Sequence, residues 1–301
     1  MLPLNLAFAL WFFSFGTTKV WAEEALTLET AKAATANGDV KAEYFLARQY
    51  AKGTGVLQDY EQSATWMRRA AEKGYPMAQN DLGAYYAKGL GVKQDLRSAF
   101  HWYQLAAESG DSLAQYSLGR AYFDGRGVPT NITESLKWYG KAAEQKQPEA
   151  MLALGYIYLN GAPGVPTDCQ AARVWFDRAA AHGKVGALNP LGFIFEHGGS
   201  GITPDLNRAA KCYREAAEKN DAEGQMNLGR MYLDGSGVKR DLIEAYQWFY
   251  LAYQNGNGVA NRYLRDLGNE TAVREPLLTS AQVAEAVRRA DQFQESFRLK
   301  K

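Results

Sequence analysis

Cysteine and histidine are scarce in this chain of 301 residues, which carries two of the first and three of the second. Two cysteines cannot build the disulfide framework that small secreted domains rely on, and Cys169 and Cys212 are too far apart in sequence for a metal-ligand pair. His101, His182 and His197 are scattered with no His-Glu-x-x-His among them, so no metal site and no cofactor are expected. A surplus of charge of either sign is missing as well, with 34 basic residues against 33 acidic. A phosphate backbone needs a basic stripe, so nucleic acid is not an expected partner. The one basic cluster, Arg298-Leu299-Lys300-Lys301, is a terminal tail with too few charges to hold a membrane surface.

Apolar runs of membrane-spanning length are lacking too, since a bilayer needs about 20 residues. The nearest is Leu4 to Phe15, followed by Gly16, Thr17 and Thr18, with Val20 and Ala22 at the −3 and −1 positions of a cleavage site. This pattern reads as a secretory signal peptide over residues 1–22, although no Lys or Arg precedes the apolar run; an uncleaved anchor is the alternative. No cysteine follows to suggest a lipoprotein. Cleavage removes Lys19 and no acidic residue, leaving 33 basic and 33 acidic side chains. The expectation is an exported protein, periplasmic or secreted, with no membrane insertion after signal removal.

What the chain does have is repetition. A block of about thirty-six residues recurs six times, opening at Leu46-Ala47, Leu82-Gly83, Leu118-Gly119, Leu154-Gly155, Leu191-Gly192 and Leu228-Gly229. Each is followed by an aromatic residue, a glycine pair, Val or Ile, an Asp or Asn, an Ala-rich stretch and usually a Trp. In the second copy Ala78, Leu82 and Tyr86 share one face of a helix, here called helix A. Glycines at 89 and 91 can end it and Val92 can plug the turn. Asp95 and its equivalents Asp59, Asn131, Asp168, Asp205 and Asp241 can cap a second helix, B. Its stripe of Ala99, Trp102 and Ala106 implies close packing, with the Trp filling the gap between hairpins. Removing such a Trp should then cost about 3 to 5 kcal/mol.

The segment from Gln79 to Gly110, with its Leu-Gly, Tyr, Gly-x-Gly-Val, Asp, Ala, Trp and Ala-Ala, resembles a Sel-1-like repeat, a relative of the tetratricopeptide repeat. The resemblance runs from about Gly38 to Gly256. It implies an all-α fold, a right-handed superhelical solenoid of antiparallel helix pairs, whose usual work is holding other proteins. Cysteine-rich relatives staple helix A to helix B, and this chain lacks those pairs. Cys169 lies one residue after a B-helix cap while Cys212 stands at the Trp position of the next hairpin. Parallel helices with that stagger would hold them about 9 Å apart along the axis, so a bridge would require distortion.

Catalytic patterns are poor. Some cysteine-rich relatives are described as β-lactamases or penicillin binders, which draws attention to Ser236-x-x-Lys239. Those residues form the Gly-Val turn of the sixth repeat, and no Ser-Asp-Asn or Lys-Thr-Gly follows. The Gly-x-Gly pairs lack the strand and third glycine of a dinucleotide fingerprint. Glu61, Glu134 and Glu244 fall in the first turns of B helices, where the helix dipole explains them.

Candidate binding residues lie where the repeat departs from itself. Opposite the core face of helix A, the position equivalent to 84 reads Arg48, Ala84, Arg120, Tyr156, Phe193 and Arg230; the position equivalent to 80 adds Tyr44, Tyr116, Leu152 and Met226. By analogy with tetratricopeptide repeats this face lines a concave groove. Tyr116, Leu152, Tyr156 and Phe193, flanked by Arg120 and His197, are expected to form one partner-binding patch; the alternative is that they pack against neighbouring A helices. Repeats four and five carry an extra turn residue each, at 161–164 and 198–201. Pro190 falls inside helix A of the fifth and should bend it, or restart it with Asn189 as cap.

Both ends look capped, as an array requires. Residues 23–37 supply a lone helix before the six repeats of 38–256. Residues 257–301 supply a lone A-like helix over Val259 to Leu267 and a last helix opened by a Thr279–Gln282 capping box, with Ala286, Ala290 and Phe293 covering the final hairpin. The expected function is a non-enzymatic adaptor for a protein or peptide. A cell-wall or β-lactam hydrolase and a purely structural spacer are the rivals.

Overall fold

The computed structural model describes residues 27–268 and 277–300; the leader expected over residues 1–22 lies outside them. After α1 (Leu28–Ala36) come six hairpins. These are α2 (Val40–Lys52) with α3 (Tyr60–Glu72), α4 (Pro76–Lys88) with α5 (Leu96–Glu108), and α6 (Ser112–Asp124) with α7 (Ile132–Glu144). They continue with α8 (Pro148–Asn160) and α9 (Cys169–Ala181), α10 (Leu188–His197) and α11 (Leu206–Glu218), and α12 (Ala222–Asp234) and α13 (Leu242–Gln254). Two helices close the chain, α14 (Ala260–Gly268) and α15 (Ser280–Leu299). The fold is an all-α solenoid, and among the described residues the only β pairing is two isolated bridges.

Each hairpin turn is built by the residues that the repeat keeps. Gly53, Gly89, Gly125 and Gly235 end their A helices at φ of 69–72°, left-handed backbone that glycine adopts without steric cost. The cap residue then does two things. Its side chain accepts from the first free amides of helix B, as Asp95 does from Arg97 and Ser98. Its own amide donates back to the A-helix aromatic, Asp95 to the Tyr86 carbonyl at 2.9 Å and Asn131 to that of Tyr122 at 2.9 Å. The second glycine serves stacking. A Cβ at Gly91 would lie 1.9 Å from the Tyr60 carbonyl oxygen, and one at Gly127 2.0 Å from that of Leu96, so each turn rests directly on the start of the preceding B helix.

Within a hairpin, the gap between the two helices is filled by the residue after the Trp position. The tryptophans carry cations on one face, with Arg69 4.7 Å over Trp66, Lys141 4.1 Å over Trp138 and Arg178 4.9 Å over Trp175, while Trp138 and Trp248 are buried and Trp66, Trp102 and Trp175 are half-buried against core side chains. The residue after the Trp position turns into the hairpin. Met67, Tyr139, Phe176, Tyr213 and Phe249 are all but fully buried. Four of these rings, and that of Tyr103, lie flat against the glycine of the Leu-Gly pair, where an added Cβ would come within 2.4–2.8 Å of ring carbons. In the first repeat, which has Ala47 in place of that glycine, the ring is replaced by the slimmer Met67.

The fifth repeat departs from expectation at Pro190. A short 3-10 turn, Val185–Ala187, replaces the first turn of helix A, so α10 starts only at Leu188 and Pro190 is its third residue. Prolines in a first turn forfeit no helical hydrogen bond, hence no bend is needed. Asn189 is not the cap; it lies buried inside α10, and its Nδ2 donates to Asp221 at 2.7 Å. The extra turn residues of repeats four and five close the bridges Ala162–Val165 and Gly199–Ile202, and Gly161 and Gly198 end their helices at positive φ of 75° and 74° with ψ of 169° and −156°. Cys169 and Cys212 are unpaired thiols.

The array ends are covered. Thr27 and Thr30 form a capping box on α1. Thr279 and Gln282 form another on α15, whose Ala286 and Ala290 are fully buried while Phe293 packs edge-on against Trp248 at 5.5 Å. Arg289 reaches Glu244 of α13 at 3.1 Å.

Candidate functional site on the A-helix face

Helix geometry puts the positions equivalent to 80 and 84 on the face of helix A opposite the stripe of Ala78, Leu82 and Tyr86, and the six expected residues fall there into two groups. Tyr156 and Phe193, on the successive A helices α8 and α10, are 42% and 48% exposed. Phe193 stacks on His197 at 4.3 Å between ring centroids, and Tyr156 stands edge-on to Phe176 at 5.1 Å. Leu152 is half-buried against the core beneath them. Tyr116 and Arg120 belong to a second place, a cleft of about 130 Å³ between the second and third hairpins. Tyr116 is half-buried and tilted against Tyr139 at 5.7 Å. No ring contact or hydrogen bond joins the two groups among the described residues, but Tyr116 and Leu152 pack against the same core cluster.

At the start of the array this face is tied up in contacts between hairpins. The Tyr44 hydroxyl donates to Asp81 at 2.9 Å and accepts from Arg48 at 3.1 Å, and Asn80 is buried. Burial pushes the Tyr44 phenol up to about 12, and burial likewise holds the Asp81 carboxyl above its ordinary value in spite of the Tyr44 hydrogen bond. The Tyr156 phenol is raised first by burial and then by the negative charges of Glu223 and Asp221, which places that acidic pair near the aromatic group.

A further polar cluster escaped the sequence reading. Tyr213 donates to Glu196 at 2.9 Å, and Arg230 of the next A helix binds the same carboxylate oxygen at 2.7 Å. Glu196 is only 12% exposed, and burial, then Glu196, drives the Tyr213 phenol strongly upward. One signal could have revealed it: Glu196 stands where the other repeats have Ala51, Ala87, Phe123, Leu159 and Leu233.

Ser236 lies in the turn after α12, its amide donating to the Met231 carbonyl at 3.0 Å. Lys239 is exposed. Among the described residues no three His, Cys, Asp or Glu side chains gather as metal ligands, and no helix is long and apolar enough to cross a membrane.

Stacked helical hairpins joined by glycine turns, with their unspent side chains on the A helices, define an α-solenoid of the protein-interaction type. The Sel1 repeat model matches six consecutive segments, 40–75, 76–111, 112–146, 148–184, 187–221 and 222–257, and the chain belongs to the Sel1 repeat family. Members of this family generally mediate protein–protein interaction. The chain is similar to c5321, a protective antigen present in uropathogenic Escherichia coli strains and displaying an SLR fold, with 34% identity and a TM-score of 0.77. That match covers 89% of this chain and 56% of the antigen, so the chain spans little over half of that protein's length. It is also similar to a Sel1 repeat protein from Oxalobacter formigenes, with 32% identity and a TM-score of 0.67 over 82% of this chain and 96% of that one. Comparison with curated proteins returned no match.

Proposed function

We propose that this chain is a non-enzymatic adaptor, exported to the periplasm or cell envelope, that grips a protein or peptide along its A-helix face. The observation that carries the reading is the exposed aromatic pair Tyr156 and Phe193 on successive A helices, with Leu152 below and His197 beside it. Large apolar side chains left half in water on this face are what a partner would cover. Aromatic residues of this kind dominate interface energetics, and burying the exposed half of each would contribute about 1 kcal/mol or more. Export is supported by the leader pattern of residues 1–22.

Changing Tyr156 and Phe193 together to Asp tests the reading. Neither side chain is fully buried, so the helical signal and melting temperature should stay near those of the unaltered protein. Retention of the protein partner from envelope extracts should fall at least tenfold; undiminished retention would favour a spacer. Incubation with a chromogenic β-lactam provides a second check. Turnover that disappears in Ser236→Ala would overturn the adaptor assignment.

A further inference from the structure

The junction between the second and third hairpins repeats the junction between the fifth and sixth with one piece missing. In the latter, the Glu196 carboxylate of α10 is held by the Tyr213 hydroxyl of α11 and the Arg230 guanidinium of α12. Counted along the repeats, Tyr103 of α5 stands where Tyr213 does and Arg120 of α6 where Arg230 does, but the place of Glu196 is taken by Ala87 of α4. No other junction pairs Tyr with Arg: the corresponding triplets are Ala51, Met67 and Ala84; Phe123, Tyr139 and Tyr156; and Leu159, Phe176 and Phe193.

Where the carboxylate would be, there is space. The cleft of about 130 Å³ is lined by Ala87, Tyr103 and Arg120 themselves, together with Phe100, Tyr116 and Arg126. Among the described residues the Tyr103 hydroxyl makes no hydrogen bond, unlike that of Tyr213, and burial pushes its phenol up to about 12. Charge points the same way. Asp124 is shared by Arg120 at 3.5 Å and Arg126 at 3.3 Å, and Lys88 also borders the cleft, so three cations stand against Asp124 and Asp81, whose negative charge also reaches Tyr103.

We propose that this cleft binds a glutamate side chain of a partner polypeptide, its carboxylate seated between Tyr103 and Arg120 as Glu196 sits between Tyr213 and Arg230. The methylenes would lie against Phe100 and Ala87, which separates this ligand from a bare inorganic anion. The proposal rests on the reading that a polypeptide lies along the A-helix face, and it assigns that polypeptide an acidic residue at the second and third repeats.

The test is a titration of the full chain, carrying labelled tyrosine and arginine, followed by NMR. The probes are N-acetylglutamic acid N-methylamide, whose only carboxylate is on the side chain, and N-acetylalanine, whose only carboxylate is terminal. The glutamate probe should move the Tyr103 ring and Arg120 Nε–H resonances saturably in the millimolar range, and more tightly than N-acetylalanine. Charge-assisted hydrogen bonds are the strong ones, so Tyr103→Phe should weaken binding about tenfold. Ala87→Glu supplies the missing carboxylate from within and should abolish binding while leaving the melting temperature undiminished. If that variant does not fold, Arg120→Gln replaces it, with binding again lost.

Three results would overturn the proposal: no saturable shift in the folded protein, binding indifferent to both substitutions, or tighter binding of N-acetylalanine. Failure here is separable from failure of the adaptor reading. Probe binding without any dependence of partner retention on Tyr156 and Phe193 sinks the latter alone, whereas such dependence without probe binding sinks only the former.

Discussion

Gly155→Ala should destabilise this protein in its own background and stabilise it once Phe176 is changed to Met. A Cβ at Gly155 would lie 2.5 Å from Phe176 Cε1 and 2.6 Å from Cδ1, where carbon atoms prefer about 3.5–4.0 Å. Phe176 is fully buried, so its ring has no free direction in which to retreat. Overpacking of this kind costs about 1–3 kcal/mol. Against it stands the gain of about 1 kcal/mol for Ala over Gly inside a helix. The net change is up to about 2 kcal/mol of destabilisation, where helix propensity alone gives the opposite sign. In the Phe176→Met background the flexible thioether can yield as Met67 does beside Ala47, and the gain of about 1 kcal/mol should return. The coupling across the pair is then about 2 kcal/mol. Four proteins, the parent, both single variants and the double, compared by thermal and urea unfolding under circular dichroism, measure it; about 2–4 °C per kcal/mol is expected for a chain of this size. An identical effect of Gly155→Ala in both backgrounds would refute the packing argument.

Two further outcomes follow from burial of titratable groups. Burial holds the Asp81 carboxyl above its ordinary value of 3.8, so the folded state binds that proton more tightly than the unfolded chain. The stability this brings is fully present below the unfolded value and is lost as pH rises through the folded one, leaving the ionised group a cost at neutral pH. Asp81→Asn, which keeps an acceptor for Tyr44, should therefore raise the melting temperature at pH 7, with the advantage fading toward pH 4; an advantage that grows on acidification would contradict the sign. The Cys212 thiol is pushed up to about 11 by burial, with Asp177 and Glu215 adding to it. At pH 8 roughly 0.1% is thiolate, so iodoacetamide should modify it about a hundredfold more slowly than an unhindered thiol. Rapid alkylation at that pH would show the site to be open.

The hairpins were legible because their signals are local. Asp95 and its counterparts cap helix B through their own neighbours' amides, and the spacing of Ala78, Leu82 and Tyr86 marks a face without any knowledge of the next repeat. Packing between helices was less legible. The glycine of Leu-Gly is matched to the variable residue after the Trp position, and the clue was the one repeat in which Ala47 and Met67 change together. Pro190 misled for a related reason. Its position relative to Leu191 is fixed by the repeat, but the start of α10 is set by the 3-10 turn before it, which no local pattern announced. On the A-helix face, the exposure of Tyr156 and Phe193 and the cleft beside Tyr116 and Arg120 depend on distances between hairpins that residue spacing does not contain.

The adaptor reading stands or falls on which face of the solenoid meets another protein in its own compartment. A photo-crosslinking amino acid at position 193 of the A-helix face, and in a second sample at exposed position 174 on the B helix α9, can be activated in intact cells and the adducts separated by mass. The account predicts a discrete protein adduct from position 193, lost when Tyr156 is also changed to Asp, and none from position 174. Adducts from position 174 alone, or equal adducts from both that ignore Tyr156, would contradict it.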